Sequence, residues 1–366
     1  MNREITLRQI TFLYLFVSVS TILRQLPQNL AREAGRSGYL SPVWSLAATV
    51  LLTGIILLLI KFFPGLNIYE IMVQLVGTFL AKLLILAYLL WILLGAAAKV
   101  ISYSLTLEYT LMPRTRSDFF MTVMMILVFY ALLRGMKTIF RFSELSLGTI
   151  LILFAILFVC AASRLRSDYL LPVSVVHLKS TIYAARHVAS VGGNIVIVLF
   201  FADMFGIAVT KKHLHKLWFG VAVFTALAFI ITLFTFGISG TALTASLPFP
   251  FYITVKSISF FQIFERFEVL VTLICILSDF VAISIFVILL FRCLTWLFHL
   301  ERGEALYIPL AVIIFYLTYY ISSTQFEFDY FYRILLVNIN LIFEYVIPLV
   351  LALVCLIRRK KIKQLY

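Results

Sequence analysis

Charged residues divide this chain into long apolar runs, and their spacing predicts its elements. A helix needs roughly 20 apolar residues to cross the hydrocarbon layer of a membrane, and a charge at its centre costs a few kcal/mol. Taking charges as boundaries gives ten spans, near residues 10–31, 42–63, 78–106, 118–134, 145–163, 188–210, 217–238, 266–296, 305–323 and 334–357. No charge occurs from Leu217 to Val255, but Gly237, Ser239, Gly240, Pro248 and Pro250 interrupt the second half of that stretch. The pattern there predicts one helix followed by a partly buried loop. The first span is apolar only from Ile10 to Leu23, then turns polar at Arg24, Gln25, Pro27, Gln28 and Asn29, which a continuous lipid-facing helix does not accommodate.

The spans form two sets of five, residues 10–163 and 188–357, separated by an extra-membrane segment with Arg164, Arg166, Asp168, His177, Lys179 and Arg186. An odd count per half makes the second half enter from the opposite face, which is the arithmetic of an inverted repeat. In such folds the first helix of each half is interrupted, and freed backbone groups with half-helix dipoles bind a small charged ligand near the midplane. Ser18, Ser20 and Thr21 lie just before Arg24 and Pro27 in the first span. Gly192, Gly193 and Asn194 open the sixth, and Asp203 with Gly206 interrupts its interior. Each break has a plainer reading, since Ser and Thr back-bond to their own helix and Gly pairs let helices pack closely.

Composition agrees with the pattern: 63% of the 366 residues are hydrophobic and 13% charged. An all-α integral membrane protein follows, and secreted, cytosolic and disordered classes are excluded. A formal charge of +14 would suggest nucleic acid in a soluble protein, but here the basic residues fall between apolar runs, where they meet lipid headgroups. The tail, residues 358–366, with Arg358, Arg359, Lys360, Lys361 and Lys363, places both termini on the cytoplasmic side and can attract anionic lipid. Arg3 and Arg8 precede the first apolar stretch, but without a small-residue cleavage site that stretch is expected to remain as a span. Cys160, Cys275, Cys293 and Cys355 are far apart in or beside apolar runs, so neither a disulfide framework nor a thiolate metal site is expected.

Six charges fall inside the predicted spans: Arg24, Lys82, Lys99, Asp203, Asp279 and Glu344. An ionisable residue at membrane depth marks a functional site by default. Lys82 is near enough to its span's start to reach the interface. Asp203 and Asp279, near mid-span in the sixth and eighth helices, can each hold a ligand ammonium or pair with Arg24 to pin helices. Glu344, between Asn338, Asn340 and Pro348, fits packing and hydrogen bonding in the last span. His213 and His215 sit among Lys211, Lys212 and Lys216 with no acid nearby, which fits a solvated loop and not a metal site. No catalytic constellation and no cofactor motif occurs, so a non-enzyme is expected.

The chain resembles the permease-like B subunits of bacterial spore nutrient germinant receptors, a branch of the amino acid, polyamine and organocation transporter superfamily. The resemblance runs through Ile5, Thr6, Leu7, Arg8 and Gln9, along the first span to Leu26 and Pro27, then Leu30, Ala31, Ala34 and Gly35. Its strongest local match is the segment from Ile258 to Glu268, where Glu265, Arg266 and Glu268 resemble the family's glutamate-arginine-apolar-glutamate signature before the eighth span. One departure is the superfamily's glycine-x-glycine break, which here reads Ser20, Thr21, Ile22, followed by Arg24. The resemblance implies the LeuT-like five-plus-five fold. It also implies a small nutrient ligand, typically an amino acid, bound beside Ser20 in the first span and from Phe200 to Asp203 in the sixth. The candidate ligand set is therefore Ser20, Thr21, Arg24, Phe200, Phe201, Asp203 and Asp279. The resemblance further implies A and C receptor subunits as partners, the spore inner membrane as location, and triggering of germination. An ordinary amino acid or organic cation permease is the alternative, and a structural subunit without ligand a third reading.

Overall fold

The computed structural model describes residues 6–171, 178–204, 211–257, 267–299, 306–321 and 324–358. The described residues form helices and turns, with no strand among them. Helix α1 (Leu7–Arg24) starts on a reciprocal cap in which Thr6 and Gln9 each hold the other's backbone N–H. It stops at Gln25, and α2 (Leu26–Ala34) restarts with Pro27 in its first turn. Proline has no N–H for the carbonyl four residues back, so the sequence itself opens the helix inside the membrane. A turn at Gly35 (φ 56°) and a 3-10 segment lead into α3 (Ser41–Phe62).

The remaining elements follow the charge pattern closely. They are α4 (Ile68–Val76), α5 (Thr78–Thr110), α6 (Ser117–Leu133), α7 (Met136–Ala162), α8 (Leu178–Gly192), α9 (Ile197–Phe200), α10 (Lys211–Ser239), α11 (Thr241–Ser246), α12 (Pro250–Lys256), α13 (Glu268–Phe298) and α14 (Tyr307–Ile321). The last segment runs from α15 (Gln325–Tyr330) through α16 (Val337–Leu341) to α17 (Ile347–Ile357). Two π-helical turns, Phe331–Leu336 and Ile342–Val346, interrupt it.

Among the described residues the predicted spans coincide largely with helices. Seven helical stretches among the described residues are long and apolar enough to cross a membrane, and α6 and α14 are shorter apolar helices. This is a multi-pass membrane protein. Its centre is made by α1, by the segment from α8 to α9, and by α13, which packs against both α1 and α5. In its most apolar window the α8–α9 segment is 83% buried, whereas the last span is only 28% buried. The outer helices turn Phe79, Leu145, Val159, Tyr320 and Ile357 outward, where lipid replaces water as the solvent.

The structure corrects three boundaries. The sixth span begins at Leu178, ten residues before its expected start, because Arg186 is neutralised inside it: Nη2 donates to Glu33 Oε1 at 2.6 Å, and the guanidinium lies 3.9 Å from the Tyr183 ring centroid. Arg186 therefore belongs to a helix and not to the extra-membrane segment. The fifth span likewise starts earlier, at Met136, after a turn at Gly135 (φ 90°). The expected loop after residue 239 is instead the helix pair α11 and α12, which a left-handed Gly240 and the N-terminal Pro250 make possible. His177, Gly206, the signature from Ile258 to Arg266 and the tail beyond Arg358 lie outside the described residues, as do Ile5 and the side chain of His213.

At Gly38 an added Cβ would lie 2.6 Å from the backbone oxygen of Leu30. Gly38→Ala must push α2 away from the start of α3, and we expect it to cost about 1–3 kcal/mol. A lowered thermal midpoint of the purified protein in detergent would record this.

Candidate functional site

Two interruptions meet at the centre of the molecule: Gln25 between α1 and α2, and the 3-10 turn Gly193–Val196 between α8 and α9. Helix breaks leave carbonyls without their intrahelical amides, and in a dry interior those groups need other partners. Side chains supply them at the end of α8 and brace α1 ahead of its break. The ammonium of Lys99, on α5, donates to the Val17 carbonyl at 2.6 Å and to the hydroxyls of Thr21 at 2.6 Å and Ser20 at 3.4 Å. Val17 lies inside α1, about two turns before the break, so this contact ties α5 to the body of that helix. The final turn of α8 is served similarly. Tyr345 OH donates to the Ala189 carbonyl at 3.0 Å, Asn340 Nδ2 to the Ser190 carbonyl at 3.4 Å, and Asn194 Nδ2 to the Val191 carbonyl at 2.9 Å. Ser18 links the two breaks, donating to Tyr14 O at 2.8 Å with Val191 O at 3.4 Å.

One buried ion pair crosses this region. Arg24 Nη2 lies 2.5 Å from Asp279 Oδ2, with the two side chains 3% and 0% exposed, and Nη1 reaches Ser102 Oγ at 3.4 Å. Beside it is a small cavity of about 40 Å³ with Thr21, Gln25, Lys99, Ser102, Asn194 and Asn340 among its polar lining. Trp91, Phe286, Phe328 and Tyr332 form its apolar walls. That space holds a few waters at most. The Gln25 side chain is buried at the start of α2, and its Nε2 has no hydrogen-bond partner among the described residues. It is an unused donor in the cavity lining, next to the N-terminus of a helix that begins there.

With this geometry in view, comparison with known proteins is decisive. The family model for spore germination proteins, the spore permeases, matches residues 4–326. The chain belongs to this family. No curated protein matches the sequence of this spore germination protein. Among solved structures it is similar to MhsT, a LeuT-fold transporter crystallised in complex with L-phenylalanine, with a TM-score of 0.67 and 14% sequence identity. The similarity covers 94% of this chain and 87% of MhsT. The spore germination protein therefore has the LeuT-like, permease-type fold that the family resemblance implies.

The candidate residues separate into two groups. Ser20, Thr21, Arg24 and Asp279 come together around the first break. Phe200, Phe201 and Asp203 do not line the cavity. The Phe200 ring packs on Tyr88 (5.5 Å between centroids) and Trp296 (6.0 Å), while that of Phe201 packs on Phe140 (5.6 Å). Asp203, expected near mid-span, lies beyond the last turn of α9, because the span starts early and breaks at Gly193 instead. Of the two partners foreseen for Arg24, Asp279 is the one it meets. Asp203 instead holds Arg292 at 2.5 Å, and that guanidinium sits 5.2 Å from the ring centroids of both Phe201 and Trp296.

Sequence reasoning named Lys99 without giving it a task, and missed Gln25, Asn194, Asn340 and Arg292 as site-forming or pinning residues. A signal was present for Lys99: Gly95, Lys99 and Ser102 recur at helical spacing in an otherwise apolar span, so they share one face of α5. Among the described residues no group of His, Cys, Asp and Glu is placed to hold a metal ion.

Removing one partner of a buried ion pair strands the other charge. Asp279→Asn is expected to destabilise the protein by about 3–5 kcal/mol, and Arg24→Met combined with Asp279→Leu to restore much of that loss. Thermal unfolding of the three variants in one detergent checks both, and a double variant no better than the single would disprove the pairing as the cause.

Proposed function

We propose that the protein is the membrane subunit of a spore nutrient germinant receptor, and that it binds a small amino acid-like nutrient between the two broken helices. Residues 10–163 and 188–357 act in this reading as oppositely inserted repeats around the site. The observation that carries it is the unpartnered Gln25 Nε2 at the N-terminus of α2, in a cavity whose only cation among the described lining residues is Lys99. A helix N-terminus with a free amide donor and a nearby ammonium suits a carboxylate. MhsT, of similar fold, was solved with an amino acid bound, which favours the same ligand class here.

The cavity is too small for an amino acid as it stands, so binding requires its walls to part. A ligand that fits only the widened state shifts the protein toward that state by its differential affinity, which is how binding becomes a signal. In a receptor, A and C subunits take up that movement in the spore inner membrane. The fold equally suits a permease, so uptake is the measurement that separates the two readings.

Deleting the gene and scoring germination against a panel of nutrients tests the receptor role, and wild-type germination on every nutrient and mixture would remove its support. At the site, the purified protein should gain thermal stability with one or more amino acids. Gln25→Leu should weaken that binding by about 1–3 kcal/mol, the cost of losing one hydrogen bond to a charged group. Uptake of labelled amino acid into vesicles against a gradient would favour the permease instead.

A further inference from the structure

Against the sixth-span break lies a carboxyl group for which the ligand reading has no use. Glu344 sits in the second π-helical turn, Ile342–Val346, and is 0% exposed. Neither of its oxygens has a hydrogen-bond partner, and no described Lys, Arg or His pairs with it. It presses on Gly193, the first residue of the broken turn. A Cβ at that position would lie 2.7 Å from the Cβ of Glu344, so only glycine lets the two segments approach this closely.

The titratable groups that face it are all tyrosines. They are Tyr14 from α1, Tyr88 from α5, and Tyr332 and Tyr345 from its own span. Tyr88 donates its hydroxyl to Phe343 O at 2.7 Å and Tyr345 to Ala189 O, so neither offers its proton to the carboxyl. The Tyr14 hydroxyl has no partner. The broken turn Gly193–Val196 carries no titratable side chain, and α3, packed on the same region, carries only Lys61 near its C-terminal end. A carboxylate ion there is shut off from solvent with no counter-charge among the described residues, and burying it costs far more than burying the neutral acid.

We propose that Glu344 binds a proton in this arrangement and releases it to water when the Gly193–Val196 turn parts from the last span, so that protonation of Glu344 holds the sixth-span break closed. The chemistry is a single acid dissociation: the carboxyl O–H bond breaks, the electron pair stays on the carboxylate, and the proton passes to water. The closed arrangement binds one proton more than the open one, so closure is favoured at low pH and lost as pH rises. This inference does not depend on the ligand reading, because it needs no nutrient.

The test uses the full chain in lipid nanodiscs without added nutrient. Hydrogen exchange of the amides from Gly193 to Val196, corrected for the intrinsic pH dependence of exchange, reports opening. In the wild-type protein, opening should increase between about pH 5 and about pH 9 by up to about tenfold per pH unit, the limit for one proton. Glu344→Gln, of the same shape but unable to ionise, should show no such increase and stay as closed as the wild type at low pH. Glu344→Met, also neutral and of similar length, provides the same comparison if the glutamine variant folds poorly. A flat wild-type profile, or equal pH dependence in wild type and variants, would overturn the proposal. So would suppression of opening by sodium at fixed high pH in the wild type alone, which would assign the carboxylate to a metal cation. Calorimetry with amino acids at one pH tests the ligand reading separately, and either result can fail alone.

Discussion

Backbone polarity in a dry interior is the constraint from which the rest of this structure follows. Pro27 and the glycine pair at Gly192 and Gly193 open two central helices where water is scarce, and each freed carbonyl then needs a donor. At the second break Asn340 and Tyr345 provide donors from the last span and Asn194 one from within the break, while Lys99 holds the body of α1 ahead of the first. These side chains do more than satisfy hydrogen bonds. They tether the interrupted segments to α5 and to the last span, so a shift of either break has to exchange named contacts for others. The fold thus concentrates its capacity for change at two short turns and leaves the outer helices as a frame.

Charge is managed by the same logic. Arg24 with Asp279 joins the end of α1 to the middle of α13, and Arg292 with Asp203 joins the end of the broken sixth segment to the other end of α13. Glu33 joins α2 to Arg186 and His187 of α8 at 2.6 and 2.8 Å. Buried pairs of this kind contribute little net stability compared with well-packed apolar residues, but they penalise any other pairing severely. Here they fix which face of α13 meets each broken helix.

Much of the architecture was legible in the chain because the membrane demands it. Charges have to fall at boundaries or find partners, so the main helical stretches could be read, and the polar run from Arg24 to Asn29 marked the first break correctly. The late start read for the sixth span has a specific cause. Arg186 reads as a boundary only while its partner Glu33, more than 150 residues earlier, is unknown. Once the start of that span is set too late, Asp203 moves to mid-span on paper and Gly193 to the start. The cavity lining was harder still, since Gln25, Asn194 and Asn340 carry no charge and polar amides do not stand out in a hydropathy pattern.

The two wide turns of the last span have a consequence for how that helix can be read at all. Tyr332, Leu336, Asn340 and Glu344 recur every fourth residue, and an ordinary α-helix advances about 100° per residue, so its surface would spiral such a series steadily around the axis. Turns closed by longer hydrogen-bonded rings take up more residues each, and this slows the spiral. Four side chains that sequence periodicity would scatter are thereby drawn toward one seam, along which the last span meets the core of the molecule.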